Sequence, residues 1–333
     1  MKAFIGLFLV LALSASGVAA QTAANQATLT SDNHIDTVDV TAPKVPLDQA
    51  VHSFVNSYVH PTETAGKIAR WTSKIPLCPD AVGLSPALNV FVVERIRTVA
   101  SMVGAPTNLT SPCNDNVVVW FTQHPQDIID YIAKNNEDLL GYHEISQKKK
   151  LATMSYPIQA WYETATRDNN GGLHTDRAWQ DPECTVAMQE LDSAIIAYGT
   201  GVYATQPFLL QRVLQTCGGA SVTGNRVLDG LRGEIGEVTI LVDTNKIIGM
   251  PLGAVSDYIA MLALSQTKAF LTCQTLTSIT NLMTPNCEAQ KAQTLTEADI
   301  AYLKAIYKTD PNVIGSIQTT EIVRQMETEL GTH

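Results

Sequence analysis

Three short runs rich in β-branched and aromatic residues constrain this chain most: Asn116–Thr122 (NVVVWFT), Ile158–Thr166 (IQAWYETAT) and Glu237–Asp243 (EVTILVD). Each reads as a strand. Around them, apolar residues recur every three or four positions, the helical period. Leu47–Val59 reads as a short amphipathic helix stopped by Pro61. Ser85-Pro86 opens a second, with Leu88, Phe91, Val92, Ile96, Val99 and Val103 on one face, ended by Gly104 and Pro106. Pro125–Lys134 carries Ile128, Ile129 and Ile132 on one side, and Pro251–Thr267 is a strongly apolar helix. Thr296 caps a last helix bearing Ile300, Leu303, Ile306 and Tyr307. Strands interleaved with helices predict an α/β chain, a mixed sheet with helices, with α+β as the alternative. Lys148-Lys149-Lys150 reads as a solvated basic turn, and Asn169–Gly172 as a turn after a strand. Pro182–Gly236 is the least legible stretch. It suggests helix near Cys184–Ser193 and Pro207–Gln215, then a glycine-rich loop, Gly218–Gly224.

Compartment follows from the first residues. Lys2, the apolar run Phe4–Leu13 and the small residues Val18-Ala19-Ala20 before Gln21 predict a Sec-type signal peptide over residues 1–20. The apolar run is too short to span a bilayer, and no later run is long enough, so a soluble mature chain is expected. Residues 21–45 read as a mobile leader ending in an edge strand, His34–Thr41. Residues 46–333 read as a single globular region, with a subdivision into 46–180 and 181–333 as the alternative. All six cysteines (Cys78, Cys113, Cys184, Cys217, Cys273, Cys287) follow the signal peptide. An even count in an oxidising compartment predicts three disulfides. Many pairings are open; the sequential one, Cys78–Cys113, Cys184–Cys217 and Cys273–Cys287, is favoured because short loops close most easily. A periplasmic or secreted location is the expectation.

Composition excludes some functions. Hydrophobic residues make up 45% and charged residues 16%, enough for a substantial core. Asp+Glu is 32 against Lys+Arg 22, net −10, so a nucleic-acid backbone would be repelled. The seven histidines include no H-x-x-x-H pair, no C-x-x-C exists, and no G-x-S-x-G elbow is present. Ser146…Lys149 and Ser265…Lys268 match S-x-x-K without the accompanying motifs in order. Gly199-x-Gly201 reads as a tight turn. No catalytic residue, metal ligand or cofactor is nominated. Asp257, entering the apolar helix, reads as a carboxylate favoured by the helix N-terminal dipole, with a buried, shifted carboxylate as the alternative.

From Glu237 onward the order is strand EVTILVD, a glycine-framed loop, helix GAVSDYIAMLALSQ, then SITNLMTPNC and LTEADIAYLKAIY. Over residues 237–308 this order resembles the carboxyl half of matrixin-type metzincin peptidases. The resemblance implies a strand, a zinc-binding helix, a Met-containing turn and a last helix. It sets Asp257, Met261 and Thr267 at the three zinc-histidine positions, Tyr258 at the catalytic glutamate and Met283 at the Met-turn. Most of these side chains are not zinc donors. The segments at residues 69–84, 117–132, 157–168 and 255–266 are similar to a family of uncharacterised exported bacterial proteins. The expectation is a non-catalytic, peptidase-like binding protein, without cofactor or metal, whose groove carries Trp161, Tyr162, Asp257 and Tyr258. Its partner would be an unknown peptide or protein, with no nucleic acid and no membrane insertion after signal cleavage. The alternative is a hydrolase whose site is assembled from residues distant in sequence.

Overall fold

A computed structural model describes residues 45–62, 65–110, 112–141, 145–176, 182–216, 227–267, 273–285, 287 and 291–331. Residues 1–44, with the expected signal peptide, leader and strand His34–Thr41, lie outside these, as does the loop Gly218–Gly224.

The three sequence-predicted strands become the middle of a five-stranded mixed sheet. Its strands are β1 (Pro79–Val82), β2 (Val117–Thr122), β3 (Ile158–Arg167), β4 (Leu173–Thr175) and β5 (Arg232–Asp243), in the order β1-β2-β5-β3-β4. β1, β2 and β5 run parallel; β3 is antiparallel to both β5 and β4. β5 lies between β2 and β3, so both halves of the chain build one sheet and a division near residue 180 has no counterpart in it. The helices are α1 (Leu47–Tyr58), α2 (Pro86–Val103), α3 (Pro125–Asn135), α4 (Ile145–Leu151), α5 (Pro182–Tyr198), α6 (Val202–Thr205), α7 (Pro207–Thr216), α8 (Leu252–Leu264), α9 (Glu297–Lys308) and α10 (Gly315–Gly331).

Strand side chains alternate between the faces. Val117, Val119, Phe121, Val238, Ile240 and Val242 join residues of α1, α2, α8, α9 and α10 in the main core. Trp161 and Leu241 point the other way, into a smaller core with Ile129, Ile132 and Leu140. Both faces of the sheet are therefore covered, which suits strands this apolar. Helices α5–α7 carry a third cluster of their own: Ala187, Leu191, Val202, Leu209 and Val213.

Several expectations are corrected. Leu88 and Phe91 are 44% and 47% exposed, because α2 buries only its Val92–Ile96–Val99–Val103 stripe. Lys148–Lys150 is not a turn but the body of α4. β5 begins at Arg232, before the apolar run that announced it. Two expected disulfides are formed, Cys78–Cys113 and Cys273–Cys287. Closing loops of 35 and 14 residues, each contributes on the order of 3–4 kcal/mol in the chain-entropy view. For the third pair, no described cysteine is free, while Cys217 lies outside the described residues. Disulfides fit an oxidising compartment. No helix of the described residues is long and apolar enough to cross a membrane.

Candidate functional site

The site is built on the outer side of β3. Asp243 N donates to Pro157 O (2.9 Å). In an antiparallel ladder hydrogen-bonded and non-bonded pairs alternate. The odd-numbered residues of this part of β3 thus face β5, and Ile158, Ala160 and Tyr162 turn their N–H and C=O groups outward. Two contacts agree. Asp176 N donates to Thr164 O (3.1 Å), on the side where β4 lies. Gly141, at φ +58°, sits so close to Tyr162 that a Cβ there would be 2.1 Å from the Tyr162 carbonyl oxygen. Both the positive φ and the close approach require glycine at 141. β4 covers the outer edge only opposite Ala165–Arg167. Among the described residues, no strand pairs the outer edge from Ile158 to Tyr162.

Along that uncovered edge lies a cavity of about 630 Å³. One wall comes from Tyr258 and Leu262 of α8, then Gln266, Thr267 and His60. The other comes from Leu140, Gly141, Gln147, Lys150, Leu151, Ser155 and Tyr156, and the floor is Ile158–Tyr162. Trp161 and Tyr162 lie on opposite faces of the sheet, and both line the cavity because it wraps around the strand edge. Trp161 is fixed by its indole N–H donating to Leu151 O (2.8 Å). Gln159 braces the neighbouring turn: its amide donates to Thr153 O and its Oε1 accepts from Ser155 N.

Helix α8 is anchored at the end nearest this cavity. A helix leaves its last four carbonyls without intrahelical partners, and α8 ends in extended Ser265 rather than a left-handed glycine. Side chains meet all four. Ser265 Oγ donates to Met261 O (2.8 Å), Tyr162 Oη to Leu262 O (3.0 Å), Trp71 Nε1 to Ala263 O (2.7 Å) and Tyr307 Oη to Leu264 O (2.7 Å). Burial raises the pKa of the Tyr162 and Tyr307 hydroxyls, and that of Tyr258, which keeps them protonated as these bonds require.

Three of the four groove residues expected from sequence, Trp161, Tyr162 and Tyr258, line this one cavity. Asp257 does not. It is 1% exposed and points toward α2, where Arg95 grips it through Nε and through Nη2 (2.9 Å), and Leu295 N donates to it (3.0 Å). Of the two readings of Asp257, the buried carboxylate holds over the dipole one, and it is paired. Pairing with that carboxylate raises the Arg95 pKa. The α8 residues on the cavity wall are Tyr258 and Leu262, with Gln266 and Thr267 just past the helix end; of the positions that the peptidase resemblance implied on this segment, Tyr258 and Thr267 line the cavity, and Asp257 and Met261 do not. Gln266 went unnoticed in the sequence. It is 8% exposed, lines the cavity, and its Oε1 has no hydrogen-bond partner among the described residues.

The described residues of the wall do not suit a zinc ion. Zinc takes three or four donors from His, Cys or carboxylate. The described lining offers one imidazole, His60, and otherwise phenols, amides, hydroxyls, an amine and apolar groups. Elsewhere among the described residues, the one group of three such donors is Cys78, Cys113 and Asp115, two of which are joined in a disulfide.

A second polar centre supports α8 from below. Asp299 accepts from Ser278 Oγ (2.5 Å), Ile279 N (2.8 Å), Thr296 N (2.9 Å) and Thr296 Oγ1 (2.9 Å). With Thr296 it forms the capping box of α9. The Tyr58 hydroxyl joins this network through Ser278 and Thr280. Burial holds the Asp299 carboxyl above the usual carboxylate range, against the pull of those donors.

No protein-family model, curated protein or solved structure matches this chain.

Proposed function

We propose that this is a non-catalytic binding protein that holds an extended peptide along the outer edge of β3. The observation that carries the reading is the outward-facing main chain of Ile158 and Ala160 beside the 630 Å³ cavity. A peptide strand would gain main-chain hydrogen bonds from that edge, and alternate side chains would enter the cavity. Trp161, Tyr258 and Leu262 supply apolar and amphipathic wall. The order of strand, helix α8, the 3-10 turn Ile279–Met283 and α9 supports a degenerate relationship to matrixin-type peptidases. The donor set on the cavity wall supports binding without hydrolysis. An exported setting fits the disulfides and would place extended segments of other exported chains within reach.

The test is a backbone probe. Short peptides of alternating valine and threonine should bind the full chain with micromolar to millimolar affinity, read by calorimetry or NMR shifts at residues 158–162. N-methylation of alternate residues in one register should abolish binding, and in the other register should not. Binding indifferent to N-methylation in both registers, or absent throughout, would end this reading.

A further inference from the structure

The basic run Lys148-Lys149-Lys150 has no role in the fold that all three residues share. Lys148 pairs with Glu137, which ties α4 to the 3-10 turn Glu137–Leu140. Lys150, two residues on, lines the mouth of the β3-edge cavity and makes no ion pair among the described residues. The described lining contains no Asp or Glu at all, in a chain whose acidic residues outnumber its basic ones by 32 to 22. Among the described lining residues Lys150 is thus a cation with no carboxylate opposite it, which is where a negatively charged group would settle. Deeper in, Gln266 offers a carbonyl oxygen that is buried, on the wall and without a partner among the described residues. A buried acceptor left without a donor keeps the cost of its lost hydration, so a ligand N–H placed there would recover that cost.

From these two groups together we infer that the peptide held on the β3 edge carries a carboxylate, which meets Lys150 at the cavity mouth while Gln266 accepts an N–H from the same ligand. This rests on the peptide-binding reading above and adds its chemical class. A side-chain carboxylate and a C-terminal carboxylate offer the same chemistry to Lys150, and the experiment separates them.

The probes are N-acetylated heptapeptides of alternating valine and threonine. One set is C-amidated with Asp, Asn or Lys walked through each position, and one peptide carries a free C-terminus. Each is titrated into the full oxidised chain, wild type and Lys150→Glu, at low and at physiological salt. Lys150 is exposed on α4, so neither state should lose its fold, and circular dichroism checks this. One position, or the free C-terminus, should bind about fivefold tighter than its neutral counterpart, the worth of one modestly screened ion pair. Lys150→Glu should reverse that preference in favour of Lys peptides. Which peptide shows the gain identifies the source of the carboxylate. If neutral peptides bind but no carboxylate improves them, or Lys150→Glu leaves the preference unchanged, the acidic-ligand inference falls and the edge-binding reading stands. If no peptide of any charge binds, both fall together.

Discussion

Two polar regions flank helix α8, and they are built on opposite terms. Around the helix three sets of buried polar groups are satisfied: Asp257 meets Arg95 and Leu295 N, Asp299 collects four donors, and the last four carbonyls of α8 each receive a side-chain donor. Beside them Arg70 keeps its Nε and Nη2 without a partner among the described residues, and it does not line the β3-edge cavity. On the cavity side, Ile158 and Ala160 turn main-chain groups to an edge that no described strand covers, and Gln266 keeps an acceptor without a donor. A fully satisfied network fixes a structure, while a partly satisfied one costs stability unless something else completes it. The difference teaches where to look for function: where unfinished hydrogen bonds and a cavity coincide, as they do at Gln266 and Thr267.

The largest effect should come from the most connected node of the finished region. Asp299→Ala removes the acceptor for four donors, Ser278 Oγ, Ile279 N, Thr296 N and Thr296 Oγ1. A loss of about 3–5 kcal/mol is expected for leaving several buried donors without their acceptor, read as a lower urea midpoint. A loss below about 1 kcal/mol would mean that this network is no more structural than the cavity wall, and the comparison would fail. The same residue makes a pH prediction. Its folded pKa is raised by burial, so its contribution to stability is full below the unfolded value near 3.9 and is lost as pH rises through the folded value. The advantage of wild type over Asp299→Asn should therefore be larger at about pH 3.5 than at about pH 7. A constant difference would show that the carboxyl is not held up by burial.

Next comes Asp257→Ala. Arg95 is 32% exposed, so solvent screening reduces the pair's worth, and a loss of about 2 kcal/mol is expected. The sharper readout is peptide affinity, which should not change, because Asp257 faces α2 and not the cavity. Altered affinity at unchanged fold would return Asp257 to the groove. Tyr162→Phe should cost about 1–1.5 kcal/mol by stripping one donor from the end of α8, with the ring still in place on the cavity wall. A thermal midpoint indistinguishable from wild type would show that water caps Leu262 O equally well.

These particular residues also show how far sequence alone reached. The strands Val117–Thr122, Ile158–Arg167 and the apolar part of β5 were legible because β-branched runs leave few alternatives, and Thr296 announced its capping box three residues ahead of Asp299. Trp161, Tyr162 and Tyr258 were nominated as amphipathic aromatics near a strand and a degenerate helix, and they share one cavity. Asp257 was misplaced because an apolar helix with little periodicity does not reveal which side faces which neighbour; here ten consecutive residues, from Val255 to Leu264, are all buried. β1 is four residues long, too short for any pattern. Gln266 was invisible for a different reason. An orphaned acceptor is a property of what surrounds a side chain, and composition or spacing does not encode surroundings. Lys150 was read as a solvated turn since a lysine run looks alike on any exposed element.

The smallest change in stability should come from Gln266→Leu, and its sign is the strongest test of the contrast. Every substitution above removes a partner that something depends on. Here the removed oxygen has no partner among the described residues, the site is 8% exposed, and leucine has similar bulk. Replacing an unsatisfied buried polar group by an apolar one of like shape is near neutral or stabilising, so the urea midpoint should hold or rise by the equivalent of up to about 1 kcal/mol. Peptide affinity should move the opposite way, falling about fivefold with the loss of one buried hydrogen bond. A variant that is both more stable and a poorer binder is the mark of a residue kept for its ligand. If Gln266→Leu instead destabilises the fold by 2 kcal/mol or so, the oxygen had a structural partner after all, and the cavity wall would belong with the finished region rather than opposite it.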